Sequence, residues 1–429
     1  MSTYVVPTGQ RSSTAATGRP HVLVVGGPSI HVCKARELGL DVDYAQYPNR
    51  YDSGHWPYVD HALLLDYADF DQLLPLARTL HETSPFQAVL TLSDFGLLPA
   101  AQLNEAFGLG GESVETVELL LDKSRMRRHL AAKGISPVAS AVGRCTQDVR
   151  EFVQAHGLPI IVKPTREGGS LAVFHVRDQA DADTVADRYR ALADKAWNPG
   201  DLGFADSFDE FLMEEFLDGP EISVETLSFD GRHVVVAVTD KELGGTGFAE
   251  VGLSTPSAQP GETLRDATRL VTDLLDAVGL RNGPAHTEVK LTSRGPRIVE
   301  SHNRIGGGGI NDMTETVYGV DMERYALCAG LGVLEPLAAS PEPRGAASHA
   351  AIMPEPGRVV EVTGEDVVRA DPAFIDLNVR VKPGDVVRPL TWNEDISGWV
   401  LARGADTADA VANGRRLAAA IHVRTEPIT

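Results

Sequence analysis

The sequence predicts a multidomain protein with an α/β part and an α+β part, and three observations carry that expectation. The chain has 429 residues, too many for one compact core, so about two to four packed units are expected. Its first hundred or so residues alternate short apolar runs with helical segments, the pattern of a parallel sheet. The remainder is dominated by alternating strands joined by tight turns, and it closes on a small mixed unit.

The elements follow in order. The start, Met1 to Pro20, is rich in Ser, Thr and Gly and lacks an apolar core. It reads as a disordered tail and not as a secretory signal. His21–Gly26 is an apolar run ending in Gly-Gly, the mark of a buried strand. An amphipathic segment to Leu38, strands at Val42–Gln46 and His61–Leu65, a helix from Phe70 and a strand at Ala88–Leu92 complete a parallel α/β unit ending near Gly111. Its first turn, Gly26-Gly27-Pro28-Ser29, is not GxGxxG, and Pro28 removes a backbone donor where a phosphate needs one. This unit is therefore expected to bind substrate or to be structural.

From Val114 to Gly134 the pattern is helical, with Lys123 opening a helix. Strands are expected at Pro137–Val142 and Pro159–Lys163, a helix from Asp178 to Ala193, and a loop over Lys195–Asp209. Strands follow at Glu210–Phe216, Glu221–Phe229 and His233–Thr239, where Asp230-Gly231 marks a hairpin. A helix spans about Glu262 to Val278, and a second hairpin Ala285 to Glu300. The last ninety or so residues hold short strands and a helix at Asp406–Ile421, read as a separate small α+β unit.

Composition narrows the function. The apolar fraction is 43%, and no apolar run approaches the ~18 residues of a membrane span. Three scattered cysteines, Cys33, Cys145 and Cys328, form no CxxC pair and point to buried thiols in a reducing, cytoplasmic setting. The formal net charge is -21, so a phosphate polymer is repelled and no nucleic-acid partner is expected. A small anionic ligand then needs a few local cations and a metal.

The sharpest local feature is a pair of carboxylates on the second hairpin, Glu288 in His286-Thr287-Glu288-Val289-Lys290 and Glu300 in Arg297-Ile298-Val299-Glu300. If Thr292 to Pro296 is a symmetric five-residue loop, Leu291 pairs with Arg297 and Glu288 falls opposite Glu300, with Cβ atoms about 5 Å apart. Like charges there need a cation, and magnesium takes one or two carboxylates plus phosphate oxygens. The hairpin alone reads more plainly as two solvated glutamates, but four further features stand beside it. Lys163 ends a strand and is followed by Gly168-Gly169-Ser170, whose backbone N–H groups can cover phosphates. Lys123 opens its helix. Met213 to Glu221 is a strand, a Gly-Pro turn and a second strand, a hinge able to meet an adenine edge. Arg304 follows Glu300 by four residues and leads into the glycines Gly306 to Gly309, read as a mobile or substrate-hugging loop with no packing use.

In this order and spacing these features resemble the ATP-grasp superfamily, from about Val114 to the end of the chain. The resemblance implies that Lys123 and Lys163 contact ATP phosphates under Gly168, Gly169 and Ser170. It implies that Glu214 lies near the adenine amine, that Phe216 and Leu217 complete the hinge, and that Glu221 reaches the ribose. It makes Glu288 and Glu300 magnesium ligands, and Arg304, Lys163 and Lys241 the catalytic cations. It sets His286, Arg304, Gly306, Gly307 and Gly308 beside the substrates. Superfamily members often carry Asn two residues after the second glutamate; here that position is His302, and Asn303 one residue later is assigned as the remaining metal ligand.

Within the superfamily the chain is similar to the bacterial L-amino acid ligases, the bacilysin-type dipeptide synthetases. The similar stretches are Thr239-Asp240-Lys241 through Phe248-Ala249-Glu250, His286 to Leu291, and Ile298 to Ser301, with Val381 to Asp385 in the terminal unit. The resemblance implies an ADP-forming ligase that joins a small-molecule carboxylate to an amine through an acyl phosphate. It implies ATP and two magnesium ions, with manganese as a substitute, and it allows a homodimer. The alternatives are a natural-product, peptide or carrier-bound acyl substrate, carboxyphosphate chemistry, and a nucleotide-binding sensor without turnover. The expected organisation is a tail at 1–20, an α/β domain at 21–113, a lid half at 114–209, a large half with the metal hairpin at 210–340, and an α+β domain at 341–429.

Overall fold

The computed structural model describes residues 4–7, 18–51, 53–193, 209–245 and 247–428. Its first sheet holds β1 (Tyr4–Pro7), β2 (His21–Val25), β3 (Asp41–Gln46), β4 (His61–Leu64) and β5 (Ala88–Leu90), in the order β1-β4-β3-β2-β5. Strands β2 to β5 are parallel. Alternate residues of β2 enter opposite cores: Val22 and Val24 meet Val32 and Ala35 of α1 (Ile30–Glu37). Leu23 and Val25 meet Leu73 and Ala77 of α2 (Phe70–Thr83) and Leu103 of α3 (Asp94–Phe107). Burial on both faces is why these strands read as unbroken apolar runs. The disordered tail does not hold at Tyr4–Pro7, which pairs antiparallel with β4 and satisfies an otherwise open sheet edge. Most of the rest of that tail lies outside the described residues.

Two helices follow, α4 (Val114–Leu121) and α5 (Lys123–Lys133). Asp122 breaks them and caps α5 by accepting hydrogen bonds from the backbone N–H groups of Ser124 and Arg125. The next sheet is antiparallel: β6 (Ser140–Gly143), β7 (Ile160–Pro164), β8 (Phe174–Val176) and β9 (Phe211–Glu215), in the order β6-β9-β7-β8. Helices α6 (Thr146–His156) and α7 (Gln179–Ala193) pack against it. The boundary expected at 209 divides this sheet, because β9 pairs with both β6 and β7. Helices α4 and α5 instead bury Leu119, Leu120, Met126 and Leu130 in the core of the large half. The loop expected over Lys195–Asp209 lies outside the described residues except for Asp209.

The large half contributes β10 (Glu221–Phe229), β11 (Arg232–Gly244), β12 (Ala249–Thr255), helix α8 (Gly261–Val278), β13 (Gly283–Thr292), β14 (Gly295–His302), α9 (Ile310–Tyr318) and α10 (Met322–Ala326). Asp230 and Gly231 both take positive φ, 51° and 84°, as a two-residue hairpin of matching twist requires. The C-terminal segment adds β15 (Ala346–Ala351), β16 (Gly357–Thr363), α11 (Glu365–Arg369), β17 (Phe374–Val379), β18 (Val386–Val387), β19 (Gly398–Gly404), α12 (Thr407–Ala420) and β20 (His422–Glu426). It is not set apart as expected. One eight-stranded sheet runs β14-β13-β10-β11-β12-β15-β19-β17, so β15 pairs with the edge of the large half. Only β18-β16-β20 forms a sheet of its own.

Candidate active site

A cavity of 730 Å³ opens between the lid sheet, the eight-stranded sheet and the N-terminal domain. Lys123, Lys163, Gly168 to Ser170, Glu214, Phe216, Leu217, Glu221, His286, Glu288, Glu300, Arg304 and Gly306 to Gly308 all line it. Segments nearly 200 residues apart therefore meet as the spacing of the motifs implies. The N-terminal domain is a wall of the same cavity through Gly27, Gln46 and Asp94. Lys241 and Asn303 do not line it.

The carboxylate pair arises differently from the symmetric loop expected. The turn between β13 and β14 is only Ser293-Arg294, closed by Thr292 opposite Gly295, so Lys290 and not Leu291 faces Arg297. That register alone would miss Glu300. A bulge between Glu288 and Val289 then slips the pairing by one residue, and Glu288 comes to face Glu300.

Each of the two carboxylates has its own cation. Lys241, with no exposed side-chain surface, contacts Glu288, lies 2.6 Å from Glu250 Oε1 and 3.4 Å from Glu221 Oε1. Ligand oxygens of Glu221, Glu250 and Glu288 all lie within 4.8 Å of one another, an arrangement that could hold a cation. Burial pulls the Lys241 pKa down, but these carboxylates outweigh it and hold the ammonium charged. Burial pushes Glu288 up, yet Lys241 and His286 bring it to about 2. Burial dominates at Glu221, whose pKa is raised. On the other side of the pair, Lys123 Nζ lies 3.0 Å from Glu300 Oε2 and donates to the carbonyl of Glu167 at 2.5 Å. Burial opposes ionisation of Glu300 too, and Lys123 and His302 hold it well below the usual range.

His302 Nε2 sits 3.1 Å from Glu300 Oε1. Residues two apart on a strand share a face, so His302 shares the face of Glu300. Asn303, one residue on, does not line the cavity, and its Oδ1 is buried without a hydrogen-bond partner among the described residues. His286 Nδ1 lies 2.7 Å from Glu225 Oε1, and its Nε2 lies 3.5 Å from Glu288 Oε1. Burial lowers its pKa, but the two glutamates raise it to about 9, so the imidazole is protonated at neutral pH.

At the hinge, Glu214 is buried, and its two oxygens are taken by Arg127 and by Lys163, the latter at 2.7 Å. Burial raises its pKa, and these two cations bring it to about 2. Arg127 also donates to the carbonyls of Ile298 and Val299, at 2.6 and 3.0 Å, tying the helix to the β13–β14 hairpin. Arg304 Nε donates to Asp94 Oδ1 at 2.6 Å, joining the segment after β14 to the N-terminal domain. Arg127 falls one helical turn after Lys123, a signal available in the spacing. No local signal marks Asp94, which lies 210 residues from its partner.

The glycine loop is not free of packing duties. A Cβ at Gly306 would lie 2.6 Å from Ile310 Cδ1, and one at Gly309 would lie 2.7 Å from Leu401 Cδ1. Only Gly307 faces open space, and Gly308 meets Leu253 Cδ1 at 3.1 Å.

The ATP-grasp domain family matches residues 156–312, and the ATP-grasp N-terminal domain family matches residues 32–111. The chain belongs to the ATP-grasp superfamily. The L-amino acid ligase C-terminal domain 2 family matches residues 350–426 of this ATP-grasp chain. Alanine–anticapsin ligase of Bacillus subtilis (strain 168) is 27% identical over 320 residues, 72% of this chain and 65% of that protein. An L-arginine-specific L-amino acid ligase of Bacillus subtilis is 27% identical over 279 residues, 64% of each chain. The match thus spans about two thirds or slightly less of these relatives' length. A crystal structure of an L-amino acid ligase from Bacillus licheniformis superposes with a TM-score of 0.80 at 22% identity, covering 95% of this chain and 99% of that one. That likeness establishes the ATP-grasp fold. Among the described residues no helix is long and apolar enough to cross a membrane.

Proposed function

We propose that this chain is an ATP-dependent carboxylate–amine ligase for small, amino-acid-type substrates. The observation that carries the reading is Glu288 facing Glu300 in the cavity that also holds Lys123, Lys163 and Arg304. Similarity to ligases named for alanine, anticapsin and arginine supports the substrate class.

The two glutamates fit a divalent cation. Both are ionised at neutral pH, both offer hard oxygen donors, and each has a counter-cation of its own in Lys241 or Lys123. They would hold magnesium, or manganese in its place, and the bound ion neutralises phosphate oxygens during transfer. Lys123 and Lys163 add charge on the nucleotide side, and Arg304, oriented by Asp94, faces the acyl side.

In the first step a carboxylate oxygen of the acid attacks the γ-phosphorus. The bond to the β,γ-bridging oxygen breaks, leaving ADP and an acyl phosphate. In the second step the amine nitrogen attacks the acyl carbon, the carbon–oxygen bond to phosphate breaks, and the amine gives up a proton. Positioning does most of the work, and a loop closing over the phosphates keeps water from the acyl phosphate.

The test is phosphate release across a matrix of amino acids as acid and amine, with mass spectrometry of the products. Amide formation in step with ADP is expected. Release that needs only bicarbonate, or no release with any pair, overturns the reading.

A further inference from the structure

A short strap of the C-terminal segment, Leu390 to Asn393, reaches the nucleotide side of the cavity. The backbone N–H of Asn393 donates to the carbonyl oxygen of Gly169 at 3.1 Å. Its side-chain Oδ1 accepts from the backbone N–H of Glu250 at 2.9 Å. One residue thus holds both the glycine loop of the lid and a strand that presents a carboxylate to Lys241. The strap packs closely: a Cβ at Gly247 would lie 2.9 Å from the carbonyl oxygen of Thr391. It is also anchored, because the Asp395 carboxylate accepts from the backbone N–H and hydroxyl of Thr391 at 2.9 and 2.5 Å.

The lid needs such support. Gly169 has φ 63°, and it is followed by two non-glycine residues with positive φ, Ser170 at 62° and Ala172 at 53°. Left-handed backbone at Ser and Ala is unfavourable and persists only where surrounding contacts enforce it. Ser170 Oγ donates to the carbonyl of Phe248 at 2.8 Å, which supplies a second tie to the same 248–250 segment.

We infer that Asn393 is a positioning residue for nucleotide binding. It sets the lid loop and Glu250 in register, so that the phosphate-covering backbone and the carboxylate cluster present one surface. The inference rests on the nucleotide reading of the cavity given above.

The test uses the full chain with Asn393→Ala, Asn393→Asp and Gly247→Ala. Loss of the acceptor in Asn393→Ala is expected to raise KM for ATP about fivefold or more, with KM for the amino acids changed far less. Hydrogen exchange should quicken together at 168–170 and 249–251 while the melting temperature holds. Asn393→Asp keeps the acceptor and should fall closer to wild type. Gly247→Ala alters no group that lines the cavity, yet it displaces Thr391 and should copy Asn393→Ala. An unchanged KM for ATP in both Asn393→Ala and Gly247→Ala, or faster exchange at only one segment, overturns the inference. If Asn393→Ala does not fold, Gly247→Ala and Asn393→Asp decide it. Calorimetry with a non-hydrolysable ATP analogue and magnesium separates the two readings. Binding weakened by the variants without any amide product keeps the inference and removes the ligase; no binding by wild type removes both.

Discussion

The side of this cavity proposed to take the nucleotide, the nucleotide half, and the side proposed to take the acid, the acyl half, are built on different principles. In the nucleotide half, charges are packed against charges: Lys241 among Glu221, Glu250 and Glu288, Lys123 on Glu300, and Arg127 with Lys163 on Glu214. In the acyl half, Gly306 lies against His286 and Gly308 against Leu253, Arg304 stands beside them in sequence, and Ile396, Trp399 and His349 add uncharged lining to the cavity. Burial, and secondarily Arg380, lowers the His349 pKa to about 4, so that ring is neutral at physiological pH. Dense paired charge suits chemistry that every substrate shares, since it must be preorganised whatever the acid is. A sparse wall discriminates by shape, and a methylene or two in such a wall is worth only about 1–3 kcal/mol. Changes in the first half should therefore remove activity, and changes in the second should redirect it.

The largest effect is expected at Glu300. Glu300→Gln should lower magnesium-dependent turnover at least about a thousandfold while the cooperative melt survives. No gain in stability is expected from relieving the Glu288–Glu300 repulsion, because Lys241 and Lys123 already offset it. Phosphate release near the wild-type rate would remove the metal hairpin from the mechanism and dissolve the contrast between the halves.

A smaller effect, read as stability, is expected at Glu214. Its folded pKa of about 2 lies below the ordinary value of 4.5. A depressed carboxylate contributes stability that is fully present above the unfolded pKa and is lost as pH falls through the folded one. Wild type should therefore exceed Glu214→Gln by about 3 kcal/mol near neutrality, with the gap closing between pH 4.5 and 2. Denaturant melts across that range check it. A gap that does not change with pH would mean that Arg127 and Lys163 do not hold Glu214 ionised.

The same contrast governs what could be read from the sequence. Lys123 opens a helix, Lys163 and Glu214 lie next to strand ends, Arg304 follows a strand, and Glu288 and Glu300 lie within the two arms of a hairpin, so local periodicity and punctuation betray them. The facing of Glu288 and Glu300 was legible as an outcome but not as a cause, since a bulge replaces the symmetric loop and no local signal marks it. The C-terminal strands read as a separate unit because their pairing partner β12 lies about a hundred residues earlier, and strand composition carries no record of a distant neighbour. For the same reason Asp94, His349, Trp399 and Asn393 were missed: each reaches the cavity only through long-range packing. The first turn of the N-terminal domain carries no GxGxxG signal, yet its Gly27 and Pro28 line the cavity.

The smallest expected effect tests the acyl half directly. A glycine loop offers no bulky side chain to fill the acid pocket, which favours an acid larger than alanine. Gly308 is a poor place to probe this, because its φ is 64° and a Cβ there would crowd Leu253. Gly307 is cleaner: it lines the cavity, and a Cβ there meets no atom within 4 Å. Gly307→Trp should therefore place a ring in the pocket without first straining the backbone. Overpacking of about 1–3 kcal/mol predicts that kcat/KM for large acids falls about five- to 150-fold while that for alanine changes little. The measurement compares alanine with leucine and phenylalanine as the acid, with one amine held fixed. If wild type uses only the smallest acids, the Trp399 and His349 wall already closes the pocket and the loop is not its gate. If the tryptophan leaves the preference unchanged, the acyl group lies elsewhere, and the division of the cavity into a charged half and a shape-selective half has been drawn in the wrong place.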